Sequence, residues 1–146
     1  MIEHLRRHHQ FVRAGACQEG FDTAPDRFRR VLARTALTMP STTAVVSALA
    51  IARGNALVRP VLQTGLSILF RRSERYVERH MADRGWTTDQ DTERATKTFW
   101  SAVFGAVLLS QAGFPGGPSD VDISTTLAIR PADAVRDGPN PTATDP

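Results

Sequence analysis

The residues best suited to chemistry are few, and their spacing argues against a reaction centre. His4 and His8 stand four apart, so on a helix they would share one face, with Glu3 and His9 beside them. Two imidazoles at that spacing begin a metal site, but a working site needs three or four ligands and no third follows at a matching interval. Cys17 is the single cysteine. It can form no internal disulfide, has no Cys-X-X-Cys partner, and reads as a small buried residue. His80 falls on the apolar stripe of a long helical segment, where it could hydrogen-bond a ligand or sit satisfied in a core. No Gly-X-Ser-X-Gly elbow accompanies the serines. Gly116-Gly117 lies between prolines after a helix rather than after a strand, which rules out a phosphate loop. These residues predict no enzyme, no metal and no cofactor.

Charge excludes a second class. The chain has 146 residues, a net charge of +3 and a pI near 10. Seventeen of the eighteen basic residues are arginine, but they are spread along the chain and most have an acid nearby. A nucleic-acid surface requires a clustered patch. Arg71, Glu74, Arg75, Glu78 and Arg79 pair at i,i+3 and i,i+4, the pattern of a solvated helix face.

The remaining candidates are apolar with a few polar groups among them. Gln63, Leu66, Phe70, Tyr76 and His80 lie on or beside the inner stripe of the long helix, with Phe99 facing them. That mixture suits a mostly apolar small-molecule site with sparse polar anchors.

Helical periodicity supplies the elements that must hold these residues. A first helix is expected from Met1 to about Gln18 and a second from Pro25 to Pro40. The third, capped by Ser41 or Thr42, runs to Ala52. The fourth runs from Leu57 to Arg84 and is closed by Gly85. Thr88 with Asp91 resembles a capping box for a fifth helix reaching Gln111. Ser119 can cap a sixth, Asp120 to Ile129, before Arg130-Pro131. No period-2 strand pattern appears. The prediction is an all-α bundle of about six helices in one domain, residues 1–130, followed by a disordered tail, residues 131–146, rich in Pro, Gly, Asp and Thr.

The fifth helix is apolar around more than half its circumference, through Phe99, Trp100, Val103, Phe104, Val107 and Leu108. A helix of that kind needs a second partner besides its own core. Its uncharged stretch, Phe99 to Phe114, is 16 residues and is interrupted by Ser101, Ser110 and Gln111. A membrane span wants about 20. The expectation is therefore a buried helix, no membrane and a cytoplasmic location.

The segment Asn55 to Gly113 resembles the TetR family of transcriptional regulators. A long helix ends in Arg84-Gly85. A short capped turn leads into an acid-started helix carrying Phe99-Trp100-Ser101-Ala102-Val103-Phe104-Gly105-Ala106-Val107-Leu108-Leu109. Asp26 to Met39 resembles the family's helix after the linker, and the likeness extends over roughly Met1 to Ile129. The resemblance implies a C-terminal effector-binding and dimerisation domain. Its last long helices would form a homodimer interface, here Trp100, Val103, Phe104, Val107, Leu108, Val121 and Leu127, and its cavity would take an apolar effector. The family's N-terminal helix-turn-helix is absent from this sequence, so DNA would be a partner only through a module lying upstream. A misplaced start, a gene fragment or a stand-alone sensor would each account for that, and the first two are favoured. The rival expectation is a helical interaction protein without a ligand, one that forms mixed dimers with an intact regulator.

Overall fold

The computed structural model describes residues 23–135. The helix expected over Met1–Gln18, with His4, His8, His9 and Cys17, lies outside the described residues, as does most of the expected tail. The described residues form five α-helices and one very short sheet: α1 (Ala24–Thr38), α2 (Pro40–Ala52), α3 (Val58–Arg84), β1 (Trp86–Thr87), α4 (Thr92–Gln111), α5 (Asp120–Ser124) and β2 (Arg130–Pro131), then a 3-10 turn at Ala132–Val135.

Helix α1 begins with a reciprocal cap. Thr23 accepts from the backbone N–H of Asp26, and the Asp26 carboxylate accepts from the backbone N–H of Thr23. Pro25 sits in the first turn, where its missing N–H costs nothing. Asp26 also pairs with Arg29. The Arg29 guanidinium then donates to the Leu127 carbonyl at 2.6 Å, tying α1 to the loop after α5. A second tie joins Arg34 to Asp120, with nitrogen–oxygen distances of 3.2 and 3.0 Å.

The junction of α1 and α2 differs from expectation. Pro40 does not merely end one helix; it is the first residue of the next, and neither Ser41 nor Thr42 caps it. Met39 takes an extended conformation, φ −66° and ψ 129°, as the residue before a proline must. It closes α1 and opens α2, and the axes bend there by 59°. The Thr42 hydroxyl donates to the Ala36 carbonyl at 2.6 Å, which secures the bend from inside.

Helix α3 has 27 residues and spans about 40 Å at the α-helical rise. It stops at Gly85, whose left-handed backbone (φ 65°) lets the chain turn back. Trp86 and Thr87 then pair antiparallel with Pro131 and Arg130. Composition places the start of the tail at Pro131, but here Pro131 stands in a strand, and Ala132 N–H bonds the Gly85 carbonyl at 3.0 Å. A two-residue strand is too short to show any period in sequence. Arg130 grips Asp89 with both nitrogens, at 2.5 and 2.8 Å. Gln90 bonds the backbone of Thr126 and Ala128.

Helix α4 is capped by Asp91, which accepts from Arg94 N–H at 2.8 Å, and not by Thr88, whose hydroxyl serves Gln90 instead. Its buried face is Ala95, Thr96, Phe99, Trp100, Val103, Ala106 and Val107. Around it close Ala33 and Ala36 of α1, Val77 and Met81 of α3, and Ile123, Leu127 and Ile129 near the end. Ser119 caps α5 in a full capping box with Asp122. The helix expected to reach Ile129 ends at Ser124. Successive hydroxyls of Ser124, Thr125 and Thr126 donate to the carbonyls three residues back at 2.6 to 2.7 Å, and the backbone tightens to i→i−3 bonds.

No single described helix is long and apolar enough to cross a membrane. Only α1 and α2 together have such length and composition, and they are bent.

Candidate functional site

Helices α1, α3 and α4 leave an open cleft of about 310 Å³ between them. Leu32 and Ala36 come from α1, Leu69, Ser73 and Val77 from α3, Thr96, Phe99 and Trp100 from α4, and Leu127 from the last loop. Each group follows helical spacing: 32 and 36; 69, 73 and 77; 96, 99 and 100. Thr35, Met39, Arg72 and Tyr76 are exposed and form its rim.

A second cleft of about 310 Å³ opens on the other side of the bend, between α2, α3 and α4. Val45, Val58, Val61, Leu62, Leu66 and Phe104 make its walls. Met39, Leu69 and Trp100 line both spaces, so these side chains stand between the two. Met39 is there because Pro40 forces the extended backbone that turns its side chain off the helix axis. No charged residue lines the second cleft, and Arg72 is the only one lining the first.

Three polar features stand out against this apolar lining. The Trp100 indole donates to Ser73 Oγ at 2.8 Å, and Ser73 donates in turn to the Leu69 carbonyl at 2.8 Å. That chain fixes the ring separating the two clefts. Thr96 is 2% exposed, and its hydroxyl has no hydrogen-bond partner among the described residues. Buried polar groups are nearly always paired, so this oxygen, closed to the cleft as well as unpaired, counts against the stability of the fold. Among the described residues Arg72 has no ion pair, and no carboxylate lines the cleft beside it. A cleft so lined can bind and orient a molecule. It brings together no nucleophile with a base, and the described residues contain no group of three or more His, Cys, Asp or Glu able to hold a metal.

Of the residues expected to meet a ligand, Tyr76 and Phe99 line the first cleft and Leu66 the second. Gln63, Phe70 and His80 line neither. Gln63 follows Leu62 by one residue, which rotates it about 100° around the helix to an exposed position. Phe70 lies in a separate polar depression with Arg71, Glu74, Glu93 and Lys97. His80 belongs to an aromatic stack: its ring lies 4.0 Å from Tyr76 and 5.1 Å from Phe28, and Nδ1 bonds the Tyr76 carbonyl at 2.9 Å. Trp86 and Arg84 complete that stack, with the Arg84 guanidinium 5.3 Å from the Trp86 ring. Sequence reading omitted Leu32, Met39, Arg72, Ser73 and Thr96. Ser73 and Thr96 carried a usable signal, as hydroxyl residues at i,i+4 from Leu69 and Trp100 on apolar stripes.

The residues expected at a dimer interface divide sharply. Trp100, Val103, Val107 and Leu127 are buried in the chain's own core, Val103 at 0% exposure. Side chains so covered have no surface left for a second copy. Phe104 is half-buried, while Leu108 is 54% and Val121 51% exposed. Leu109 and Phe114 are also exposed near the same end of α4.

The sequence model of a family described as bacterial transcriptional repressor C-terminal, of the TetR type, matches residues 25–128. That span is most of the chain, and it encloses both clefts and helices α1 to α5. No curated protein and no solved structure matches the chain. The chain belongs to this TetR-type repressor C-terminal family, which is not a family of enzymes.

Proposed function

We propose that this member of the TetR-type repressor C-terminal family is the effector-sensing and dimerisation half of a transcriptional regulator. Its effector is an apolar small molecule held between α1, α3 and α4. The observation that carries the reading is the pair of adjacent apolar clefts divided by Trp100. Each, at about 310 Å³, has a volume at the lower end of ligand pockets. Met39 lines both and stands at the 59° bend. An occupant that packs better against one setting of that bend shifts the balance between settings, and any such shift is limited by the difference in affinity for the two. DNA would be a partner only through a helix-turn-helix module upstream of this half, and the working location is the cytoplasm.

The chain pairs with a second copy through the outer side of α4 and the neighbouring α5, using Phe104, Leu108 and Val121. The exposure of Leu108 and Val121 supports this, since a C2 interface needs a self-complementary apolar patch on the surface. Effector binding is tested by thermal unfolding of the full chain against a broad panel of apolar compounds. A raised midpoint with a subset of the panel supports the reading, because a ligand that binds only the folded state stabilises it by mass action. A flat response across the panel removes it.

A further inference from the structure

We propose that the corner between α2 and α3 docks on an anionic lipid surface, lying on the membrane without spanning it. This goes beyond the effector reading and does not depend on it.

Three observations converge on that corner. The first is exposed apolar surface. Leu57 is 85%, Val61 74% and Ile51 58% exposed. Ile51 stands in the last turn of α2, Leu57 immediately precedes α3, and Val61 follows one turn later on the same side. The joining loop is tight: Gly54 N–H donates to the Ile51 carbonyl at 3.1 Å, and Val58 N–H to the Asn55 carbonyl at 3.2 Å. The three side chains therefore share one corner. Both ends of the described chain lie at the opposite end of the bundle, where Arg29 bonds the Leu127 carbonyl and Ala132 bonds the Gly85 carbonyl.

The second is charge. Every charged side chain from residue 27 to residue 73 is arginine, and residues 98–119 hold no charge at all. That second stretch includes the half of α4 facing this end, since Phe104 shares a cleft with Val58, Val61 and Leu62. Arg53 and Arg59 stand within the apolar corner, and neither has an ion pair among the described residues. A second copy of the corner would bring like charges together. An anionic surface supplies the missing negative charge.

The third is the backbone. A segment entering the apolar edge of a bilayer must not leave its polar backbone groups bare. The end of a helix ordinarily leaves its last carbonyls to water. Here the Ile51 carbonyl is taken by Gly54, the Ala52 carbonyl by Arg59 Nε at 3.1 Å, and the Arg53 carbonyl by Arg59 Nη2 at 3.4 Å. Leu57 N–H donates to Asn55 Oδ1 at 3.0 Å. The corner also projects: Leu57 is almost bare, and a Cβ at Gly54 would meet nothing within 4 Å. A lipid interface closes round such a tip, whereas a preformed protein surface meets it at few points.

The test is co-sedimentation of the full chain with vesicles. Vesicles of phosphatidylglycerol mixed with phosphatidylcholine should carry the protein down, and phosphatidylcholine alone should not. Binding should weaken as salt rises. Arg53→Gln should weaken it about fivefold, the effect of one basic residue near an anionic surface. Leu57→Asp should weaken it about tenfold or more, through loss of a buried leucine. Leu57 faces solvent in the free chain, so this variant should keep its helical circular dichroism. Equal binding to neutral vesicles overturns the proposal, because charge is then not read. A folded Leu57→Asp variant that binds normally overturns it too, by placing the contact elsewhere. No sedimentation with the anionic vesicles overturns it outright; if Leu57→Asp then also converts a dimer to a monomer, a second copy covers the corner. Each of these failures leaves the effector reading standing, since that reading is tested by thermal unfolding with soluble compounds.

Discussion

Trp100 donates its indole N–H to Ser73 Oγ at 2.8 Å, across the packing of α4 against α3. The ring is buried, separates two clefts, and has no other polar contact among the described residues to hold its angle. Ser73 in turn donates to the Leu69 carbonyl within its own helix, so its hydroxyl is oriented to accept. Ser73→Ala removes the acceptor and strands a buried N–H. The expected loss is about 1–3 kcal/mol of unfolding free energy, read from urea titration. Trp100→Phe should lose less in polar terms, because it removes donor and demand together. A Ser73→Ala variant as stable as the parent would mean that this bond contributes nothing net.

Gly85 offers a purely conformational test. Its φ of 65° lies in the left-handed region, and a Cβ added there would meet nothing within 4 Å. Any cost of Gly85→Ala is therefore backbone strain rather than collision. The strain is about 1–2 kcal/mol, and lowered entropy of the unfolded chain offsets about half of it. Gly85→Asn should recover part of the loss, since Asn tolerates this region better. Equal midpoints for Gly85, Ala and Asn in thermal unfolding would contradict the assignment of a left-handed cap.

Two helix caps make the fold sensitive to acid. The Thr23 hydroxyl, followed by Arg29, holds the Asp26 carboxyl below its ordinary range, although partial burial opposes it. The Ser119 backbone N–H, followed by its hydroxyl, does the same for Asp122. Both groups bind protons less readily folded than unfolded. The stability they contribute is present above the ordinary carboxylate value and is lost as pH falls through it toward the lowered one. Urea midpoints should therefore drop below about pH 4. Glu74 runs the other way: burial first, then the charges of Glu78, Glu93 and Asp91, raise its pKa. Its neutralisation slightly favours the folded state in acid. Asp26→Asn with Asp122→Asn should flatten the acid drop; an unchanged slope would place the acid sensitivity elsewhere.

The helices were legible where local chemistry repeats. Ser119 and Gly85 are caps whose residue types name their job, and α3 and α4 carry apolar stripes long enough to read. Competing local options defeated the rest. Thr88 and Asp91 both suit a helix start, and Asp91 wins because the chain before it is tied into Arg130 and Gln90 contacts from far along the sequence. Pro40 both ends one helix and begins another, and only the Thr42–Ala36 bond distinguishes a bend from a loop. At the site, an inner stripe found Leu66, Tyr76 and Phe99, but a stripe does not say which neighbours pack tightly and which stand apart. Arg72 belongs to the same helix as the arginines of the solvated face, and periodicity within α3 does not encode which of them stands at a cleft mouth.

The division of α4 into a covered and an open side gives a paired prediction about assembly. Val103 is fully buried within one chain, whereas Leu108 on the same helix is 54% exposed. Glutamate at 103 would place a charge among Ala33, Phe99 and Ile123, whose surroundings offer it no partner. Val103→Glu should therefore abolish folding, seen as loss of helical circular dichroism. Glutamate at 108 meets solvent in the single chain, so Leu108→Glu should change monomer stability by no more than about 0.5 kcal/mol. In a dimer built on Phe104, Leu108 and Val121, each copy of a glutamate at 108 would bring a carboxylate into an apolar interface. Light scattering should then report a dimer for the parent at micromolar concentration and a folded monomer for Leu108→Glu. A parent that is monomeric at that concentration would remove the dimer reading. A folded dimer that survives Leu108→Glu would move the interface to the other exposed apolar side chains, Ile51, Leu57 and Val61, where α2 meets α3.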